Sequence, residues 1–329
     1  MTAAQKSIAP APAPAVEPIV IKFANAEPPP SVLNENHKYW IEQVEIQTGG
    51  KVQVEPYWAG ALGGNNEIAD NVEAGIADCG FTSSGFTPGR FPINDLMYQL
   101  NFKVRNGWHL KLASDMMIEE GLFDQDFTTV ELMYTAPMQP HSLYLKEPAT
   151  TMEDLSGLRI RTQGTNKAVS LMGMDPLAIP YGETEMSLER GILDGVLTSD
   201  GPMFLFKFGN YAQYCIDEPF VCGGLSWVIM NPDTWNSLPP DVQEGIQRAN
   251  YAASFNSIDL MGKANANFRS MLKGMGVTYH KLEPAELARW EAKVNNVADE
   301  FAAELESQGV TGAKATLQQI YALLAKTDL

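Results

Sequence analysis

The stretch Glu153–Gly195 limits the possible folds most, because its hydrophobic period switches repeatedly between that of a strand and that of a helix. It reads EDLSGLRIRTQGTNKAVSLMGMDPLAIPYGETEMSLERGILDG. Leu158-Arg159-Ile160-Arg161 alternates apolar and basic residues, the period-2 pattern of a half-buried strand. Gly164 and the Thr165-Asn166 pair then read as a turn and a helix N-cap. Helical spacing runs from Lys167 to Met172 and stops at Asp175-Pro176. Leu177–Pro180 is a short apolar strand, and Glu183–Arg190 is an amphipathic helix closed by Gly191. Arg159 and Arg161 share one face of their strand, since side chains two apart point the same way. Arg161 stands where the strand opens into the turn. An arginine there, beside a helix N-terminus, is placed to hold a carboxylate by two parallel charge-assisted hydrogen bonds. A surface arginine paired with a local acid accounts for the same residues.

The opening of the ordered chain adds a β-α-β unit. Ile19–Ala24 reads as a buried strand. The helix that follows carries Leu33, Trp40, Ile41 and Val44 on its apolar face and ends at Gly49-Gly50. Val52–Tyr57 is the second strand. Such a unit calls for a parallel open sheet covered by helices on both faces, with ligands at the carboxyl ends of strands. The segment leaving the second strand, YWAGALGGNNE, is glycine-rich, so its backbone can approach another surface closely. It has neither the spacing nor the lysine of a phosphate loop. Trp58 reads equally well as an aromatic wall for a ligand or as core. Phe86, in the Ser83–Arg90 loop, reads as a cleft contact or a loop anchor.

Several strings occur in a fixed order: YWAGALGGNNE with VEAGIAD, GRFPINDLMYQLNF, the DLSGLRIR to ILDG block, and VIMNPDTWNSLPPDVQEGI. Together they resemble the substrate-binding proteins of TRAP transporters, the DctP family, over most of the chain. The resemblance implies a periplasmic binding protein-like α/β fold: two α/β lobes, a central cleft and a long helix crossing both. It implies a protein that captures a small organic acid and delivers it to TRAP membrane subunits, as a monomer without catalysis, metal or cofactor. It places the protein in the periplasm, its export signal removed. Arg161, the last arginine of the LxIR strand, would pair with the ligand carboxylate. Glu67 would support the cleft, and Tyr181 would lie over the ligand. His141 stands where some members carry a second arginine. A neutral histidine there can donate a hydrogen bond to an acid, or be satisfied by backbone at a domain crossing. Thr198 stands where sugar-acid members carry an asparagine, and Glu185 replaces a tyrosine. Both departures point away from sugar acids, toward aromatic or short aliphatic acids.

The expected division is a tail at 1–18, a first lobe of 19–138 plus 224–263, and a second of 139–223 plus 264–329. The Ala-Pro alternation of the tail reads as an extended, solvated linker. The second lobe starts at Gln139, and the chain returns through Gly223-Gly224. A helix starting at Pro239-Pro240-Asp241 meets no strong breaker before Gly262 and continues toward Lys273. That is far longer than the usual ~11–12 residues. Phe204, Phe206 and Phe208 read mainly as packing, and 285–308 as one amphipathic helix.

The formal net charge of −17 argues against nucleic acid and anionic lipid as partners. An anion site in such a chain must therefore be built from positioned donors. No run approaches the ~18 apolar residues of a membrane span. Cys79, Cys215 and Cys222 have no metal spacing; a Cys215–Cys222 bridge and free buried thiols are both open. His37, His109, His141 and His280 lack a zinc spacing. No G-x-S-x-G elbow or G-x-G-x-x-G fingerprint occurs. A ligand-sensing module that reports to a receptor would present the same cleft, so it stands as the alternative to a transport protein.

Overall fold

The computed structural model of this chain describes residues 17–27, 31–162 and 166–327. Nearly all of the Ala-Pro tail and the Gln163-Gly164 part of the turn after Arg161 lie outside these residues. The described strands are β1 (Ile19–Ala24), β2 (Val52–Tyr57), β3 (Cys79–Ser83), β4 (Glu131–Pro137), β5 (His141–Leu145), β6 (Arg159–Thr162), β7 (Asp175–Ala178), β8 (Gly195–Thr198), β9 (Tyr214–Val221), β10 (Leu225–Met230) and β11 (Thr278–His280). They form two sheets, ordered β2-β1-β3-β10-β4 and β11-β9-β5-β8-β6-β7. β1 pairs in parallel with β2 and β3, as the β-α-β reading requires. β10 then runs antiparallel between β3 and β4.

Both sheets are covered on two faces, and the strand sequences show why. Every residue of β10 (LSWVIM) is buried. Its alternate residues serve different cores: Trp227 and Ile229 join one cluster, Val228 and Met230 the other. In the second sheet, Leu143 and Leu145 face one core while Tyr144 faces the other. Period 2 thus distributes one continuous apolar run over two helical layers. The helix Val32–Gln47 covers the first sheet with Trp40 and Val44 fully buried, and the Trp40 indole donates to Asn250 Oδ1 at 2.7 Å.

The chain passes between the sheets at 138–140 and again at 222–224. These two passages touch: a Cβ on Gly223 would lie 2.2 Å from the carbonyl oxygen of Gln139. A third passage is the helix Pro240–Gly274, of 35 residues, which runs through Gly262 unbroken. Its first half buries Val242, Ile246, Ala249 and Ala253 on the first sheet, and Leu272 near its end joins the second lobe's core.

The carboxy-terminal region departs from the sequence reading. The segment 285–308 is two helices, Pro284–Val294 and Val297–Ser307, with a break at 295–296. Trp290 and Val294 pack in the second lobe. Ala298, Ala302, Leu305, Leu317, Ile320 and Leu323 pack instead with Leu96, Leu110 and Met117 against the first sheet. The expectation that all of 264–329 belongs to the second lobe is therefore corrected at its end. Helical periodicity shows which face is apolar but carries no information on which lobe that face covers. Cys79, Cys215 and Cys222 are buried free thiols.

The tight contact of the two linking segments generates a prediction. Gly223→Ala should destabilise the protein by about 1–3 kcal/mol, because the methyl group meets backbone that has nowhere to move. Gly262→Ala, which meets nothing within 4 Å, should be neutral or slightly stabilising. Urea unfolding of the two variants checks the contrast.

Candidate functional site

A cleft of about 400 Å³ opens between the two lobes. Its wall is made where strands end: Glu27 follows β1, Phe86 follows β3, Tyr181 follows β7 and Ser199 follows β8. Carboxyl ends of parallel strands gather such loops in one place, which is why open α/β sheets bind there. The long helix adds Met261, Asn265 and Phe268, so the cleft touches both lobes and one of the elements that joins them. Phe81, Phe86, Tyr98 and Phe206 make much of the surface aromatic.

Arg161 does not itself line this cleft but lies against Tyr181, which does, on the strand face it shares with Val196 and Leu177 across the sheet. It is 4% exposed. Its Nε donates to the carbonyl of Ile179 at 2.8 Å, and its guanidinium carbon sits 3.9 Å above the Tyr181 ring. Nη1 is buried without a hydrogen-bond partner. Burial lowers its pKa, because desolvation disfavours the charged form. Arg159, two residues earlier, makes the opposite choice. Its Nε and Nη2 donate to Asp194 at 2.9 and 2.8 Å, in a bidentate pair near the surface.

Two residues separate the guanidinium from the open cleft, and both line it: His141 and Tyr181. The Tyr181 hydroxyl shares a 3.0 Å hydrogen bond with Thr198 Oγ1, and its ring stacks on Phe206 with centroids 5.0 Å apart. These contacts fix the ring over the arginine. Burial, and then the charge of Arg161, push the His141 pKa down to about 4. At neutral pH this ring is an uncharged donor and acceptor beside a buried cation.

Phe86, His141 and Tyr181 therefore line the cleft, while Arg161 and Thr198 lie directly behind Tyr181. The remaining two candidates do not reach it. Trp58 packs edge-on against Phe23 in the first-lobe core, with centroids 5.9 Å apart. Glu67 is exposed, and its carboxylate accepts the Gly64 N–H at 2.8 Å, which shapes the loop that carries Asn65. The sequence reading missed Glu27, Tyr98, Asn265 and Phe268, and took Phe206 for packing. Glu27 had a usable signal, since it follows the carboxyl end of the first strand. The helix residues had none, because a polar-apolar pattern does not say what a helix faces. Among the described residues no group of three or more His, Cys, Asp or Glu side chains could hold a metal ion.

The profile of bacterial extracellular solute-binding protein family 7 matches residues 23–305. The C4-dicarboxylate-binding periplasmic protein DctP of Rhodobacter capsulatus is 24% identical over 91% of either chain. A TRAP periplasmic solute-binding protein of Desulfovibrio salexigens superimposes with a TM-score of 0.85 at 23% identity, covering 95% of this chain and 97% of that one. A marine-metagenome TRAP solute-binding protein specific for aromatic acids, solved with metahydroxyphenylacetate, gives 0.83 at 23% identity, over 94% of this chain and all of that one. These likenesses share the two-lobe fold described above.

Two outcomes test the electrostatics. The neutral His141 ring contributes stability that is complete above its unfolded pKa of 6.5 and is lost as pH falls toward 4. That loss should be on the order of 3 kcal/mol. Imidazole resonances followed by NMR should show His141 untitrated from pH 8 to 5.5, and Arg161→Met should raise its pKa. The same substitution should leave the ligand-free protein as stable as before or more so, by up to about 3 kcal/mol, since an unpaired buried cation is replaced by an apolar side chain of similar length. Thermal unfolding without ligand checks this.

Proposed function

The chain belongs to bacterial extracellular solute-binding protein family 7, the solute-binding component of TRAP transporters, and we propose that its own ligand is a small organic acid less polar than a sugar. The observation that carries this reading is Arg161: a desolvated guanidinium with a free Nη1 at one end of an aromatic cleft. Placing that cation out of water is costly, and a paired anion offsets the cost. A carboxylate entering past His141 and Tyr181 gains the attraction of a low-dielectric site. The planar fork offers it parallel hydrogen bonds, and the His141 ring can add another. Phe86, Phe206 and the neighbouring rings suit an aromatic or short aliphatic body. Thr198 offers no amide for a sugar hydroxyl, and its own hydroxyl is engaged by Tyr181.

Binding in the second lobe becomes transport when the first lobe closes over it. The touching segments 138–140 and 222–224 form the natural bend, and the long helix limits the direction of closure. The closed, loaded form is the one we expect the membrane subunits to receive, in the periplasm. On this reading the protein serves transport rather than catalysis.

Calorimetry with a panel of monocarboxylic acids is the direct test. Arg161→Ala should weaken binding by on the order of 3–5 kcal/mol, a few hundredfold to several thousandfold. Arg161→Lys should lose much of the same, since an ammonium cannot reproduce two parallel bonds. Arg159→Ala should bind like the wild type, within about threefold. Arg161 variants that bind within threefold of the wild type would place the anchor elsewhere. Small-angle scattering should show compaction on saturation with the tightest acid found.

A further inference from the structure

Glu27 is the only carboxylate among the described residues that line the cleft, and no lysine or arginine lines it. Its position is enforced. The Glu27 N–H donates to Asn25 Oδ1 at 2.8 Å, and its carbonyl accepts from Asn34 Nδ2 at 3.1 Å. Asn25 Nδ2 in turn reaches Asn34 Oδ1 at 3.0 Å and His37 Nδ1 at 2.7 Å. Asn25, Asn34 and His37 are each at most 1% exposed. Burial drives the His37 pKa down to about 3, so the ring is neutral and acts as a fixed polar partner. Three buried polar side chains thus serve to hold one acidic residue at the first-lobe wall. A buried network of this kind rigidifies what it touches.

The Glu27 side chain itself has no ion-pair partner among the described residues, although this chain carries 23 lysines and arginines. Burial raises its pKa, and the neighbouring Asn65 amide offsets only part of that. A half-buried carboxylate on an aromatic wall leaves acceptor capacity that water satisfies poorly in a closed cleft. Arg161 lies in the second lobe and Glu27 in the first, so closure brings opposite charges to the two walls of the same space. A ligand held between them meets a cation on one side and an acceptor on the other.

We infer that Glu27 determines specificity: it accepts a hydrogen bond from a hydroxyl or amino group on the ligand away from the carboxylate that Arg161 holds, and it excludes a second carboxylate. The inference rests on the Arg161 anchor proposed above. The ligand class becomes monocarboxylic acids bearing a distal donor. Dicarboxylates are rejected because their second charge would face a like charge in a site that excludes water. A plain monocarboxylate binds but leaves the Glu27 acceptor unmatched.

Two matched series read this out by calorimetry: benzoate, 3-hydroxybenzoate and isophthalate; and phenylacetate, 3-hydroxyphenylacetate and 3-carboxyphenylacetate. The wild type should bind the hydroxylated member of at least one series at least about tenfold tighter than the plain acid, with the dicarboxylate weakest. Glu27→Gln keeps the backbone clamps and the side-chain shape. It should improve the dicarboxylate at least about tenfold while leaving the plain acid within about threefold. Glu27→Ala should abolish the hydroxyl preference. Dicarboxylate-to-plain ratios that stay within threefold of the wild type in Glu27→Gln would overturn the role of Glu27. If Arg161→Ala still removes binding in that case, the anchor stands and only this inference falls. Should neither series bind the wild type, the ligand class inferred here is overturned; should Arg161→Ala bind like the wild type, the anchor reading fails and this inference goes with it. Circular dichroism melts of each variant separate lost recognition from lost folding.

Discussion

A guanidinium held out of water, with no counter-ion among the described residues, is the constraint on which the rest of this structure depends. The second lobe has several arginines, and its chemistry handles three of them differently. Arg159 takes Asp194, and Arg289 takes Glu153 and Glu286. Arg269 takes Asp200 and Asp217. Each of these is an ion pair of the usual kind, with its charge neutralised by its own neighbours. Arg161 receives one carbonyl, one aromatic face and a neutral histidine. Neither the ring nor the histidine cancels a full charge. That arrangement leaves the guanidinium short of partners, which is what the proposed carboxylate anchor rests on.

The surrounding parts follow from keeping that arrangement rigid. Tyr181 begins a helix, stacks on Phe206 and is hydrogen-bonded to Thr198, contacts that orient its ring over the arginine. Asp200, two residues past β8, is 3% exposed and accepts from the hydroxyls of Tyr144 and Tyr279 and from Arg269 of the long helix. That fully matched network fastens the second half of the helix to the second lobe. The first half is fastened to the first lobe by Trp40 on Asn250 and by Ser254 on the Thr135 carbonyl. Each lobe thus has its own hold on the helix, beside the two linking segments at 138–140 and 222–224.

The protein's overall field runs against the anion proposed as its ligand. A net charge of −17 repels anions at long range, so affinity has to arise at contact distance. This explains why the cleft is largely apolar rather than basic. Aromatic walls exclude water, and a single desolvated cation then acts with little screening. The same reasoning underlies the role proposed for Glu27, because a carboxylate discriminates more strongly in a dry cleft than in water.

The sequence alone determined the local elements: period-2 runs became strands, the β-α-β opening became a parallel sheet, and the unbroken stretch after Pro239 became the long helix. It also separated Arg161 from Arg159, because one residue's position relative to the end of a strand decides which is near the carboxyl edge. Tertiary structure alone decided which surfaces meet. It broke the 285–308 segment in two and sent the second half to the first lobe. It set a half-buried Trp58 against the first-lobe core, turned Glu67 to its own loop, and brought Phe206, Phe268 and Glu27 to the cleft. The physical reason is the range of the interactions. Backbone geometry and hydrophobic period act within a few residues and are written in the chain itself. A cleft, by contrast, is assembled from segments more than two hundred residues apart, and only packing establishes whether an apolar face meets a core, a partner lobe or a ligand.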